Sequence, residues 1–63
     1  MHLEDNFYTI SKASEIIGVK THVLRFWEKK IKLAKPNKYF NGRRYYSSID
    51  IKNLKLIKKL LYD

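Results

Sequence analysis

Apolar residues recur at helical spacing in three stretches of the chain and lose that spacing in one. Ile10, Ala13, Ile16 and Ile17 fall on one side of a helix predicted over 10–17. Thr9 can cap its start, and Gly18 can end it in the left-handed region. Tyr8 and Ala13 stand where a hydrophobic staple would form, and residues 1–8 are predicted to be a frayed arm. Val19-Lys20-Thr21 leads into a second helix over about 21–30, capped at either Lys20 or Thr21. At 100° per residue, Val23, Leu24, Trp27 and Ile31 face inward, while His22, Arg25, Phe26 and Lys29 face outward. Lys29 and Lys30 then complement the helix dipole in the last turn.

Between Ile31 and Tyr46 the helical spacing lapses. Pro36, Asn37, Asn41 and Gly42 are turn formers. Lys32-Leu33-Ala34 and Arg44-Tyr45-Tyr46 flank them as short strand candidates, which predicts a two-stranded hairpin over 32–46 with a long basic tip. Helical spacing returns at about Ser48 and runs to Leu61. Ser47 caps this third helix, Asp50 stands three residues on, and Tyr46 can staple to Ile51. Ile51, Leu54, Ile57 and Leu61 form a stripe expected to close the core. Ile49, Leu56 and Leu60 form a second stripe, and Lys52, Lys55 and Lys59 occupy a third side. Two apolar stripes exceed what so small a domain can bury. The second either meets a partner (a further C-terminal segment or another chain) or folds under the hairpin.

The expected fold is therefore mostly α. Two helices joined at Gly18-Val19 form a helix-turn-helix over 9–30, a hairpin wing covers 32–46, and a third helix covers 48–61. Sixty-three residues make one domain at most, with no internal repeat or low-complexity tract. Without cysteine there is no disulfide framework or thiolate metal site, so packing must hold the fold; 44% apolar residues and nine aromatics make that feasible. No apolar run approaches membrane-spanning length and no signal peptide opens the chain, so a soluble, cytoplasmic location is expected.

Charge narrows the partner. Fourteen Lys and Arg oppose six Asp and Glu, for a formal net charge of +8. Residues 20–59 hold thirteen of those basic residues and only two acids, Glu28 and Asp50. Such a field suits a polyanion; a merely well-solvated lysine-rich surface would have the same count. Position separates the two readings. Arg25 is the only arginine on the outward side of the second helix, where its planar fork can take two acceptors on guanine or clamp a phosphate, or else pair with Glu28. Lys20, Thr21 and His22 stand at the helix start, where groove-inserted helices reach bases and where backbone N–H groups favour a phosphate oxygen. Lys29 adds charge to the same side. Phe26 points outward and wants cover, while Trp27 points inward with an indole N–H that needs an acceptor. Arg43 and Arg44 beside Gly42 are candidate phosphate contacts, unless one of them ties the wing to the helical body. Tyr45 and Tyr46 alternate, so one should pack inside and the other face out, with phenols able to donate to phosphates. Lys38 adds charge at the turn without specificity.

Catalysis has little support. His2 and His22 lack partners at any defensible spacing, the carboxylates are scattered, and Ser11, Ser14, Ser47 and Ser48 have no matching base. There is no phosphate-cradling glycine loop and no clustered metal-ligand set, so neither enzyme activity, cofactor nor metal is expected.

Read together, Tyr8-Thr9-Ile10, Ala13, Gly18-Val19, Leu24-Arg25-Phe26-Trp27-Glu28, Pro36, Gly42-x-Arg44-x-Tyr46, Asp50-Ile51, Leu54 and Ile57 resemble the N-terminal DNA-binding domain of MerR-family bacterial transcription regulators, from about residue 7 to 62. The resemblance implies a winged helix-turn-helix. Thr21, His22 and Arg25 would enter the major groove, Phe26 and Trp27 would lie beside the DNA backbone, and Arg43, Arg44 and Tyr46 would serve the wing. It also implies homodimers on double-stranded (pseudo)palindromic operators, formed through a segment absent here, with promoter distortion that lets RNA polymerase engage. Trp27 stands where the family often has tyrosine. Family members continue into further helices, a dimerising coiled coil and often an effector site, so the chain is expected to be either a fragment or a stand-alone headpiece. Two rivals stand beside this reading. One is an excisionase-like architectural protein that bends DNA. The other is a protein-interaction module working through Ile49, Leu56 and Leu60.

Overall fold

The computed structural model describes residues 7–62. Strand β1 (Tyr8–Thr9) leads directly into helix α1 (Ile10–Ile17), and helix α2 (Thr21–Lys30) follows after a short turn. A single 3-10 turn (Lys32–Ala34) precedes strands β2 (Lys38–Phe40) and β3 (Arg43–Tyr46), and helix α3 (Ser48–Tyr62) closes the order. The result is a mostly helical winged helix-turn-helix. Most of the arm expected over residues 1–8 lies outside the described residues. Its end, Tyr8, is a strand residue, so the sheet has three antiparallel strands in the order β1-β3-β2 and not two.

Local chemistry accounts for the helix ends. The Thr9 hydroxyl accepts from the Lys12 N–H at 3.2 Å, and Gly18 ends α1 at φ 85°, its N–H donating to the Ser14 carbonyl. The Lys58 ammonium donates to the Ile17 carbonyl at 3.0 Å, so α3 helps to cap α1. Lys20 takes the N-cap position of α2 with no side-chain hydrogen bond. At α3 the Asp50 N–H donates to the Ser47 hydroxyl at 3.1 Å and the Asp50 carboxylate accepts from the Ser47 N–H at 2.9 Å, a reciprocal capping box.

The core consists of Ala13, Ile17, Leu24, Trp27, Ala34, Tyr46, Ile51, Leu54 and Ile57, with Tyr8, Ile10, Val19, Val23 and Ile31 packed around it. Two residues expected inside are not. Ile16 is exposed because α1 is short and aims Ala13 and Ile17 inward, which leaves Ile16 at the edge of that arc. Leu61 has the right phase, but the elements packed against α3 bury it only as far as Ile57, and Leu61 is 55% exposed. The second stripe does not fold under the wing: Ile49 is 69% exposed and Leu60 73%.

The wing lies later in the chain than expected. Asn41 and Gly42 both have positive φ (53° and 75°), the backbone of a two-residue type I′ turn. That turn fixes the register as Phe40↔Arg43, Tyr39↔Arg44 and Lys38↔Tyr45. Counting back, Lys32–Ala34 falls beyond any partner on β3. It forms the 3-10 turn instead, with the Ala34 N–H on the Ile31 carbonyl and Ala34 itself buried. The tip is accordingly short and uncharged, and the basic residues flank it.

Candidate nucleic-acid interface

Helix α2 is held by its apolar side. Leu24 and Trp27 are buried and Val23 is half-buried, which forces His22, Arg25, Phe26 and Lys29 outward into solvent. Thr21 is half-buried at the helix start. With no side-chain cap, the first N–H groups of α2 remain for solvent or an anion. Phe26 is 55% exposed, with the Lys30 ammonium 5.9 Å from its ring centroid. Trp27 is a core residue with its ring 6.5 Å from that of Tyr62, and its indole N–H is not among the fully buried unpaired polar atoms.

Strand alternation sorts the wing. Lys38, Phe40, Arg43 and Tyr45 share one face of the hairpin, and Tyr39, Arg44 and Tyr46 share the other. Tyr45 is half-buried between Thr9 and Lys38, its partners on the two flanking strands. Lys38 also sits 5.3 Å over the Phe7 ring. Arg43 is exposed beside the turn. A cleft between the start of α1 and this turn is lined by Thr9, Ser11, Gly42, Arg43 and Arg44.

The other wing face turns toward the helices. Tyr46 is wholly buried, and its hydroxyl has no hydrogen-bond partner. Burial, then the nearby Glu28 carboxylate, pushes its phenol from 10.0 up to about 12. The Arg44 Nε donates to the Glu28 carboxylate at 2.5 Å, and its guanidinium lies 5.8 Å from the Tyr39 ring centroid. Of the two arginines beside Gly42, Arg44 is therefore the one joined to the helical body. Glu28 pairs with it and not with Arg25. The hairpin is also tied at its base, where the Asp50 carboxylate accepts from the Asn37 N–H at 2.7 Å as well as from Ser47.

Arg25 stands one turn before Glu28 on α2, and the Glu28–Arg44 pair ties β3 to that turn of the helix. Sequence reasoning did not find Glu28 as the wing's anchor or the Asp50–Asn37 bond, because both partners are set by the long-range fold. A signal for the true wing was present: Asn-Gly followed by Arg-Arg-Tyr-Tyr and preceded by Lys-Tyr-Phe is a hairpin pattern. Among the described residues no three His, Asp or Glu converge as a metal site, and no helix is long and apolar enough to cross a membrane.

Two helices joined at a left-handed glycine, with a β-wing beside the second, define the helix-turn-helix class of regulatory domains. Residues 8–63 match the family described as MerR HTH family regulatory protein, and the chain belongs to that family, whose members are DNA-binding transcription regulators. It is 38% identical over 53 residues to the uncharacterized HTH-type transcriptional regulator YyaN of Bacillus subtilis, covering 84% of this chain and 38% of that protein. It is 31% identical over 58 residues to the HTH-type transcriptional repressor CarH of Myxococcus xanthus, covering 92% of this chain and 19% of that one. The chain thus spans well under half the length of either relative. No solved structure matches it.

Proposed function

We propose that this chain binds double-stranded DNA sequence-specifically, with α2 in the major groove and the wing on the flanking backbone. The observation that carries the reading is the exposure of Arg25 on α2 and of Arg43 on the wing of a strongly basic domain. Both guanidiniums are free of the core, and the Glu28–Arg44 pair joins the two elements that carry them. Arg25 reads a base edge, assisted by His22 and Thr21 at the helix start. Lys20, Lys29, Lys38 and Arg43 neutralise phosphates, and Phe26 lies against the sugar–phosphate backbone. Trp27 serves from inside, fixing the helix, and its N–H at the rim is available to a phosphate oxygen. Tyr45 presents its phenol from the outer wing face. In a longer protein the domain acts as one half of a homodimer at a promoter in the cytoplasm, with RNA polymerase as the eventual partner. The exposed Ile49–Leu56–Leu60 stripe then supports packing outside this domain.

The test is affinity for a duplex selected by the chain from a random-sequence library, measured across a salt series. Binding should weaken steeply with salt. Arg25→Ala should cost roughly 1–3 kcal/mol of discrimination against a scrambled duplex, whereas Lys38→Ala should weaken both duplexes alike and lower the salt slope by about one. An unchanged preference in Arg25→Ala would remove base reading from α2.

A further inference from the structure

We infer that Glu28 and Arg44 are positioning residues of the DNA-contacting face: as a pair they set where the wing stands relative to α2, and Arg44 is not itself a phosphate contact. The inference rests on the DNA reading above and specifies how its two basic projections are kept in register.

The wing needs such a device because its backbone is held to β1, α1 and α3 but not to α2. No Cα of α2 comes within 8 Å of a Cα in β2 or β3, and β2 packs on no element but β3. The base of the hairpin is fixed by Asp50, whose carboxylate grips Asn37 just before β2 and Ser47 just after β3. Tyr46 roots the end of β3 in the core. β1 pairs with β3 as far as Tyr45, and the link from the hairpin to α2 is the Arg44–Glu28 bond. The pair is sheltered, with side-chain exposures of 29% for Arg44 and 14% for Glu28. The Tyr39 ring against the Arg44 guanidinium restrains it further. Only Nε donates to Glu28, and that carboxylate offsets the charge that would otherwise draw the guanidinium to a phosphate. Glu28 lies one helical turn from Arg25, so a shift of the pair changes the distance between the base-reading arginine and Arg43 beside the turn.

A carboxylate near a polyanion supplies a test in which the two roles predict opposite signs. If Glu28 were only a nearby negative charge and Arg44 a phosphate contact, Glu28→Gln would tighten DNA binding and Arg44→Gln would lower the salt slope by about one. If the pair positions the wing, Glu28→Gln weakens binding to the selected duplex, by about tenfold for a coupling at the middle of the usual range. Arg44→Gln then weakens it by a similar factor, and the double variant is no weaker than either single. The exchange Glu28→Arg with Arg44→Glu should restore much of the preference for the selected over the scrambled duplex that Arg44→Glu alone loses. That ratio is the readout because added charge cannot raise it without geometry. Thermal melts of each variant establish the folded fraction used to correct the affinities. Tighter or unchanged binding by Glu28→Gln, or no recovery in the exchanged pair, overturns the positioning role. Failure of the wild-type chain to select any duplex overturns the DNA reading itself.

Discussion

Helix α2 and the wing both carry exposed basic groups, yet they are secured by different physics. The helix is secured by apolar burial: Leu24 and Trp27 have almost no exposed surface, and the outward residues are simply what remains. The wing is secured by polar points, namely backbone pairing of β3 with β1, Asp50 at its base and Glu28 at its middle, with Tyr46 as its one core residue. Apolar burial is strong and non-directional, so it makes a helix stay put without specifying a neighbour. Hydrogen bonds and a sheltered ion pair contribute less stability but fix distance and angle. Helix α2, the proposed reader of bases, is therefore tied to folding, whereas the wing can be adjusted at small cost to stability.

The largest expected effect comes from attacking the apolar anchor. Leu24→Ala should destabilise the fold by about 3 kcal/mol through lost burial and a cavity. In a domain this small that is most of the available stability, so thermal or urea unfolding should show a chain only partly folded at room temperature. Were the loss under about 1 kcal/mol, the apolar side of α2 would not be the anchor described here.

Next comes the wing's single apolar root. Below about pH 10 the Tyr46 phenol is protonated both folded and unfolded, so it confers no pH dependence. Between the ordinary value of 10.0 and about 12 the unfolded chain releases the proton while the folded chain keeps it, so stability falls as pH rises. The loss should reach about 2–3 kcal/mol by the upper end. Tyr46→Phe should abolish that slope. It should also leave neutral-pH stability unchanged or slightly higher, since it deletes a buried hydroxyl without a partner. Alkaline denaturation of the two proteins checks this, and an identical alkaline midpoint would show that another group carries the transition.

Polar anchors should cost less. Asp50→Ala strands the Asn37 and Ser47 N–H groups and uncaps α3, for about 1–2 kcal/mol, with amide exchange rising at both ends of the hairpin and little change in α2. Smallest is Gly42→Ala. Nothing lies within 4 Å of the added methyl, so only the left-handed backbone at φ 75° objects, at about 1 kcal/mol. DNA affinity should fall only through disturbance of Arg43 beside it. A larger loss of stability than in Asp50→Ala would mean that the tip, and not the base, organises the wing.

These differences also explain what could be read in advance. The three helices, their caps at Thr9, Gly18 and Ser47, and the outward set His22, Arg25, Phe26 and Lys29 follow from spacing within a dozen residues. Lys32–Ala34 is a 3-10 turn and not the expected strand because a three-residue segment has no period of its own; the Asn41–Gly42 turn decides its fate from several residues away. Leu61 and Ile16 were expected inside because phase says which way a side chain points and not whether anything is there to meet it.

By itself, then, the sequence determined the helical skeleton, the basic character of the surface and the turn chemistry, since each depends on neighbours close along the chain. Only the tertiary structure decided that Arg44 belongs to Glu28, that Tyr46 and not Tyr45 is buried, that Tyr8 adds a third strand, and that the Ile49–Leu56–Leu60 stripe stays uncovered among the described residues. The physical reason is common to all four. Each is a choice among partners distant in sequence, made by which surfaces the packed helices bring within reach, and no local pattern encodes that distance.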